Sequence, residues 1–141
     1  VVVVRVGGRS AGGPVTAVDR RKRAFRSADE FTLEAFRAAR IIMVRTEGKE
    51  IAEEIRRCCA RCGGFLVAAS GTGAGGEGER RYLERARDRL LEARYLLYVA
   101  RRTGLLDLRP YRQLTARQDS ALREVELLLR EAISVREERP P

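Results

Sequence analysis

Three cysteines stand close together at Cys58, Cys59 and Cys62, a Cys-Cys-x-x-Cys cluster with the residue type of a metal or redox site. Structural zinc ordinarily takes four Cys or His ligands, and this chain has neither a fourth cysteine nor any histidine. Cys58 and Cys62 also fall at the spacing of a helix seam, where a small apolar side chain lets two helices approach. Packing is the better reading, with no metal and no cofactor expected. The glycine-rich run from Gly71 to Gly78 resembles a phosphate-binding loop in composition, but it lacks the terminal Gly-Lys-Ser/Thr. Glu77 and Glu79 then open the next helix, where their charge repels phosphate. A flexible interhelical loop is expected there. Without His the usual general base is gone, and no Ser or Cys has an evident activating partner. Paired carboxylates such as Glu53 and Glu54 look like solvated charges on a polar helix face. These residues point to binding and not to an enzyme.

Charge supplies the positive signal. The chain of 141 residues carries a net charge of +9, which calls for an anionic partner. Much of the excess is N-terminal, where Arg5, Arg9, Arg20, Arg21, Lys22, Arg23 and Arg26 face Asp19 alone before residue 29. Nearly all the basic residues are Arg, and GC-rich coding favours that choice regardless of function, although it does not explain the basic surplus. The candidate binding residues are Arg56, Arg57 and Arg61 on a second helix and Arg80, Arg81, Arg85, Arg87, Arg94, Arg101 and Arg102 on a third. Arg89 accompanies them. Guanidinium groups hold phosphates bidentately, and a stripe of them without a base-reading motif suggests recognition of backbone and shape. Tyr95 and Tyr98, with Tyr82, could stack on exposed bases. The bland alternative is a solvated face with intrahelical pairs, such as Arg80 with Glu84 or Arg85 with Asp88, and with the tyrosines in the core.

The elements that must position these residues are helices. The apolar share is 44% and the aromatic share 6%, with no Trp, which suits a Leu, Ile, Val and Ala core in one domain. Residues 1–26, with Gly7, Gly8, Gly12, Gly13 and Pro14 among charges, are expected to form a flexible basic arm, a short strand over Val1 to Val6 being an open alternative. Ser27 and Glu30 make a capping box that predicts the first helix from Ser27 to about Arg45, with Leu33, Phe36, Ala39 and Met43 inward. A second run places Ile51, Ile55, Cys58, Cys62, Phe65 and Ala69 on a heptad seam, with Gly63-Gly64 as a kink or close helix contact. The third helix opens near Glu79, carries Leu83, Ala86, Leu90, Ala93, Leu97 and Ala100, and stops at Gly104. Pro110 begins the fourth at its first turn, and Leu114, Gln118, Ala121, Val125, Leu128 and Ala132 form its stripe. The prediction is all-α: an antiparallel up-down-up-down four-helix bundle over residues 27–137, with residues 138–141 as a tail. Apolar residues off the seams, Ile41, Ile42, Leu91 and Leu96, suggest an oligomer. No apolar run approaches the roughly 20 residues of a membrane span, and no signal peptide is convincing, so a soluble cytoplasmic protein is expected.

Particular stretches also resemble a known superfamily. Ile55-Arg56-Arg57-Cys58-Cys59-Ala60 resembles the second block of the four-helix-bundle proteins encoded by intervening sequences in large-subunit ribosomal RNA genes. That branch usually carries Asn-Ile-Ala-Glu-Gly where this chain has Phe65-Leu66-Val67-Ala68-Ala69. Tyr82-Leu83, then Glu92-Ala93-Arg94-Tyr95-Leu96-Leu97-Tyr98-Val99-Ala100, running through Gly104-Leu105-Leu106 to Tyr111, are closer to a sister branch, the accessory variability determinant proteins of diversity-generating retroelements. The likeness spans roughly Phe31 to Ile133. It implies a homopentamer of bundles that binds the retroelement's reverse transcriptase and its structured RNA in support of mutagenic complementary-DNA synthesis, without catalysing anything itself. The alternative is a structural or ribosomal-RNA-associated bundle protein of the intervening-sequence branch.

Overall fold

A computed structural model of the chain describes residues 16–73 and 75–138, with side chains as far as Ser134. Four helices follow one another: α1 (Ala17–Met43), α2 (Lys49–Ser70), α3 (Glu77–Arg102) and α4 (Leu108–Glu138). Each packs on two neighbours, α1 on α2 and α4, α2 on α3, and α3 on α4, which closes a square. The connections are short, so consecutive helices run antiparallel. The expected all-α up-down-up-down bundle is thus present, and no strand occurs among the described residues. The possible strand at Val1 to Val6, the rest of the arm before Thr16 and the closing Pro140-Pro141 lie outside the described residues.

One boundary is corrected. Residues 16–26 are not arm but the first turns of α1, and Ser27 is an interior helical residue with no capping role. The cap is Thr16, whose hydroxyl accepts from the Asp19 N–H at 3.1 Å, while the Asp19 carboxylate accepts from the Thr16 N–H at 3.4 Å. The Thr16 hydroxyl also donates to that carboxylate at 2.7 Å, and this bond first, then the one from the Thr16 N–H, holds the Asp19 carboxyl below its ordinary value. A reading of composition favoured the glycines and arginines of this stretch over its cap. The nearly three turns gained also bury Ala24 and extend the seam.

That seam is the second correction. Ala39 is buried as expected, but the inward line of α1 is Ala24, Ala28, Phe31, Ala35, Ala38 and Ile42, at alternating spacings of four and three, whereas Leu33 is 53% exposed and Phe36 and Met43 sit half-buried at the edge. Ile42, expected off the seam, is core. Alanine carries little hydrophobic weight in a sequence pattern, yet its size lets neighbouring helices close in. On α2, Ile55, Cys58, Cys62 and Ala69 are buried as expected, while Ala52, Cys59 and Leu66 replace Ile51 and Phe65, which are half-buried. The predicted stripes of α3 and α4 are buried at every position.

Two glycines are required by geometry. A Cβ at Gly48 would lie 1.9 Å from the Ile42 carbonyl oxygen, so the α1–α2 turn closes only over a bare backbone. Gly104 has φ +79° and ends α3 in a Schellman motif: its N–H reaches the Arg101 carbonyl at 3.3 Å, and the Leu105 N–H reaches that of Ala100 at 2.9 Å. Gly63 and Gly64 behave differently. The helix passes through them unbroken, and a Cβ at either would meet nothing within 4 Å, so neither a kink nor a close helix contact within the chain accounts for them. Each costs on the order of 1 kcal/mol of helix propensity relative to alanine.

Candidate nucleic-acid interface

The arginines singled out by sequence do not make one face. Three edges of the bundle share them. Arg56 turns toward α1, its guanidinium 5.9 Å from the Phe36 ring centroid and its Nη1 3.9 Å from the Met43 sulfur. Arg85 lies over the α2–α3 seam, 5.9 Å from the Phe65 ring, which itself stacks on Tyr82 at 6.4 Å. The α3–α4 edge is marked by Arg94, whose Nη1 donates to Asp119 and, at 3.2 Å, to the Gln118 side-chain Oε1. Arg80, Arg87 and Arg101 recur at seven-residue steps from Arg94 and therefore share its side of α3. Tyr98, four residues on, joins them.

Much of the charge is already engaged. Arg57 pairs with Glu54, Arg80 with Glu84 at 2.9 Å, Arg87 with Asp88 at 3.6 Å and Arg89 with Glu92 at 2.5 Å. The expected Arg85–Asp88 pair is replaced by Arg87–Asp88, since Arg85 has turned to the ring. Arg61, Arg81 and Arg101 have no salt-bridge partner and no side-chain hydrogen bond among the described residues. Exposed ion pairs of this kind contribute roughly 0–1 kcal/mol and exchange readily for a stronger anion.

The tyrosines divide as well. Tyr82 is half-buried against the core, but Tyr95 is 65% and Tyr98 46% exposed, which removes them from the core altogether. Their rings stack at 6.4 Å and 27°, and Arg102 sits 6.0 Å over Tyr98. With Leu91, also exposed, they form a stripe at positions 91, 95, 98 and 102 on one side of α3. An exposed aromatic pair under a guanidinium, next to a row of cations, can accept a flat unpaired base and hold the phosphates on either side.

One constellation escaped the spacing argument. Glu54 and Cys58 from α2 meet Glu92 from α3, with their ligand atoms all within 4.8 Å of one another. Burial first, then the neighbouring Glu92, pushes the Cys58 thiol up to about 11. Glu54 is thus half-buried rather than merely solvated. Both carboxylates already have guanidinium partners in Arg57 and Arg89, so the trio is a balanced charge cluster around a protonated thiol. Glu92 lies on another helix, and only the fold brings it there.

No helix among the described residues is long and apolar enough to cross a membrane. No family model matches the chain, and no curated protein or solved structure matches it either.

Proposed function

We propose that this chain is a non-catalytic accessory protein that binds structured RNA together with the polymerase that copies it, in the manner of the accessory variability determinants of diversity-generating retroelements. The observation that carries the reading is the Tyr95–Tyr98 stack, exposed, capped by Arg102 and bordered by the cations of the α3–α4 edge. A solvated surface has no use for two adjacent exposed tyrosines. A surface that meets unpaired bases does. The stripe is open to a loop or bulge, while Arg87, Arg94 and Arg101 lie at intervals of about 10 Å along a rigid helix and can follow a backbone. On this reading Arg61, Arg81 and Arg101 act as free cations, and Arg80, Arg87 and Arg94 exchange their carboxylate partners for phosphate. A homo-oligomer presents several such stripes at once and multiplies affinity.

The ion pairs at Arg57, Arg80, Arg87 and Arg94 favour a second reading, an interaction bundle whose arginines are only solvated. Filter binding separates the two. With a structured retroelement RNA, Tyr95→Ala/Tyr98→Ala is expected to weaken binding by roughly 10- to 100-fold, at about 1–3 kcal/mol per lost stack, with an unchanged salt slope. Reversal of Arg87, Arg94 and Arg101 to Glu is expected to abolish binding and flatten the slope. Equal binding by all variants leaves the solvated bundle standing.

A further inference from the structure

We infer that the outer groove between α1 and α2 docks an amphipathic helix from a protein partner, with acidic residues flanking that helix's apolar line. A groove of about 730 Å³ opens there, with the buried Leu66, Leu83 and Leu128 at its floor and Val18, Phe25 and Val67 on its walls. The three wall residues are 56%, 43% and 58% exposed, an apolar patch open to solvent. A second hollow of about 240 Å³ prolongs the groove, sharing Phe25, Asp29 and Val67 and reaching Gly63 and Gly64. Along α1 the lining runs from Val18 to Thr32, a span of roughly 21 Å at 1.5 Å per residue. That is the length of a helix of about four turns.

The glycines give the groove its shape. Gly63 and Gly64 weaken α2, and among the described residues nothing lies within 4 Å of a Cβ built at either to account for them. A partner backbone crossing at that point would, because small residues let helix axes approach closely. Charge selects the partner's flanks. Arg21 is already taken by Glu79 at 2.9 Å, but Lys22 and Arg26 line the groove with no salt bridge among the described residues, against the carboxylate of Asp29, which has none there either. The whole chain carries +9, which further favours an acidic visitor. This face is separate from the tyrosine stripe of α3, and the inference does not rest on RNA binding.

The test uses the full chain and two fluorescein-labelled designed peptides of one helical design, with an identical Leu/Ala apolar line flanked by Glu in one and by Lys in the other. Fluorescence anisotropy at near-physiological salt is expected to show the Glu peptide binding at least tenfold tighter. Gly63→Leu/Gly64→Leu raises helix propensity at positions where a Cβ meets nothing within 4 Å, so its helical signal at 222 nm is expected to match the parent's; it is expected to cost the Glu peptide at least tenfold in affinity. Lys22→Glu/Arg26→Glu is expected to invert the preference, and Tyr95→Ala/Tyr98→Ala to bind the Glu peptide like the parent. Equal binding of the two peptides, or unchanged binding after the glycines are filled, overturns the inference. So does complete displacement of the Glu peptide by RNA, which would make the groove part of a nucleic-acid surface. A drop in mass by light scattering on filling the glycines overturns it in favour of a second copy of the chain.

Discussion

Gln118 is the sharpest place to probe the bundle, because it is a polar side chain at 0% exposure in the middle of the α4 stripe. Its amide nitrogen donates to the Leu90 carbonyl at 3.0 Å, and its oxygen accepts from Arg94 at 3.2 Å. Replacing it with Leu removes two hydrogen bonds at about 1 kcal/mol each and adds apolar burial of about 1.5–3 kcal/mol. The two nearly cancel, and Leu is expected to change stability by less than about 1 kcal/mol. Replacing it with Ala loses the same bonds and leaves an unfilled volume. By analogy with other large-to-small core changes this costs about 3 kcal/mol, or roughly 10 °C in melting temperature for a chain of this size. Urea unfolding followed by circular dichroism at 222 nm reads both variants. The pair also separates packing from pairing. If Leu costs as much as Ala, the amide bonds and not the filled space hold the α3–α4 seam, and the accounting above is wrong. A polar group at one seam position also fixes register in helical assemblies. The Leu variant is therefore expected to keep its stability while sampling more than one mass in light scattering.

The three thiols are expected to resist a disulfide reagent such as Ellman's at pH 8 in the folded protein and to react fully in urea, since each is at most 2% exposed and burial pushes Cys62 up to about 12. The sign of the linkage follows: their contribution to stability is complete below the ordinary value of 9.0 and is lost as pH rises toward about 11 for Cys58, which a series of urea midpoints from pH 7 to 11 would display as a fall beginning above pH 9. Gly104→Ala is expected to cost about 1 kcal/mol, because φ +79° penalises any side chain even though the space around it is open, and a loss within error of zero in thermal melts would refute the strain. Glu79→Ala is expected to cost about 2–4 kcal/mol by leaving Arg21 and the Gly75 N–H without their acceptor, and amide exchange at Gly75 is expected to accelerate at least tenfold.

How much of this was legible depends on side-chain size. Leu83, Leu90 and Leu97 alternate with alanines on α3, and Leu114, Val125 and Leu128 mark α4, so a periodic reading found both inner faces. On α1 the inner face is mostly alanine, and the larger Leu33 drew the reading toward solvent. The start of α1 was missed because Thr16 and Asp19 cap it from within a stretch dominated by glycine and arginine. The candidate interface was legible as a set of residues but not as a surface. Nothing in the spacing distinguishes Arg56, which turns to Phe36, from Arg61, which remains free, and the partners of Arg94 and Cys58 come from other helices. Gly63 and Gly64 stand out in the sequence for their propensity, but only the fold shows that a Cβ at either would meet nothing within 4 Å among the described residues.

The ties at the start of α1 bear on the order in which the bundle assembles. Phe65 and Tyr82 close a hairpin across one short loop, whereas Arg21 meets Glu79 across 58 residues and Arg20 meets Glu131 only after most of the chain has been gathered. Contacts that enclose long loops form late, so α2 and α3 are the natural nucleus and the first turns of α1 the final latch. A latch absent from the transition state sets how fast the native protein comes apart and leaves its rate of assembly almost untouched. Substitutions at Arg20, Arg21 and Glu131 should thus shorten the lifetime of the folded bundle out of proportion to their effect on refolding.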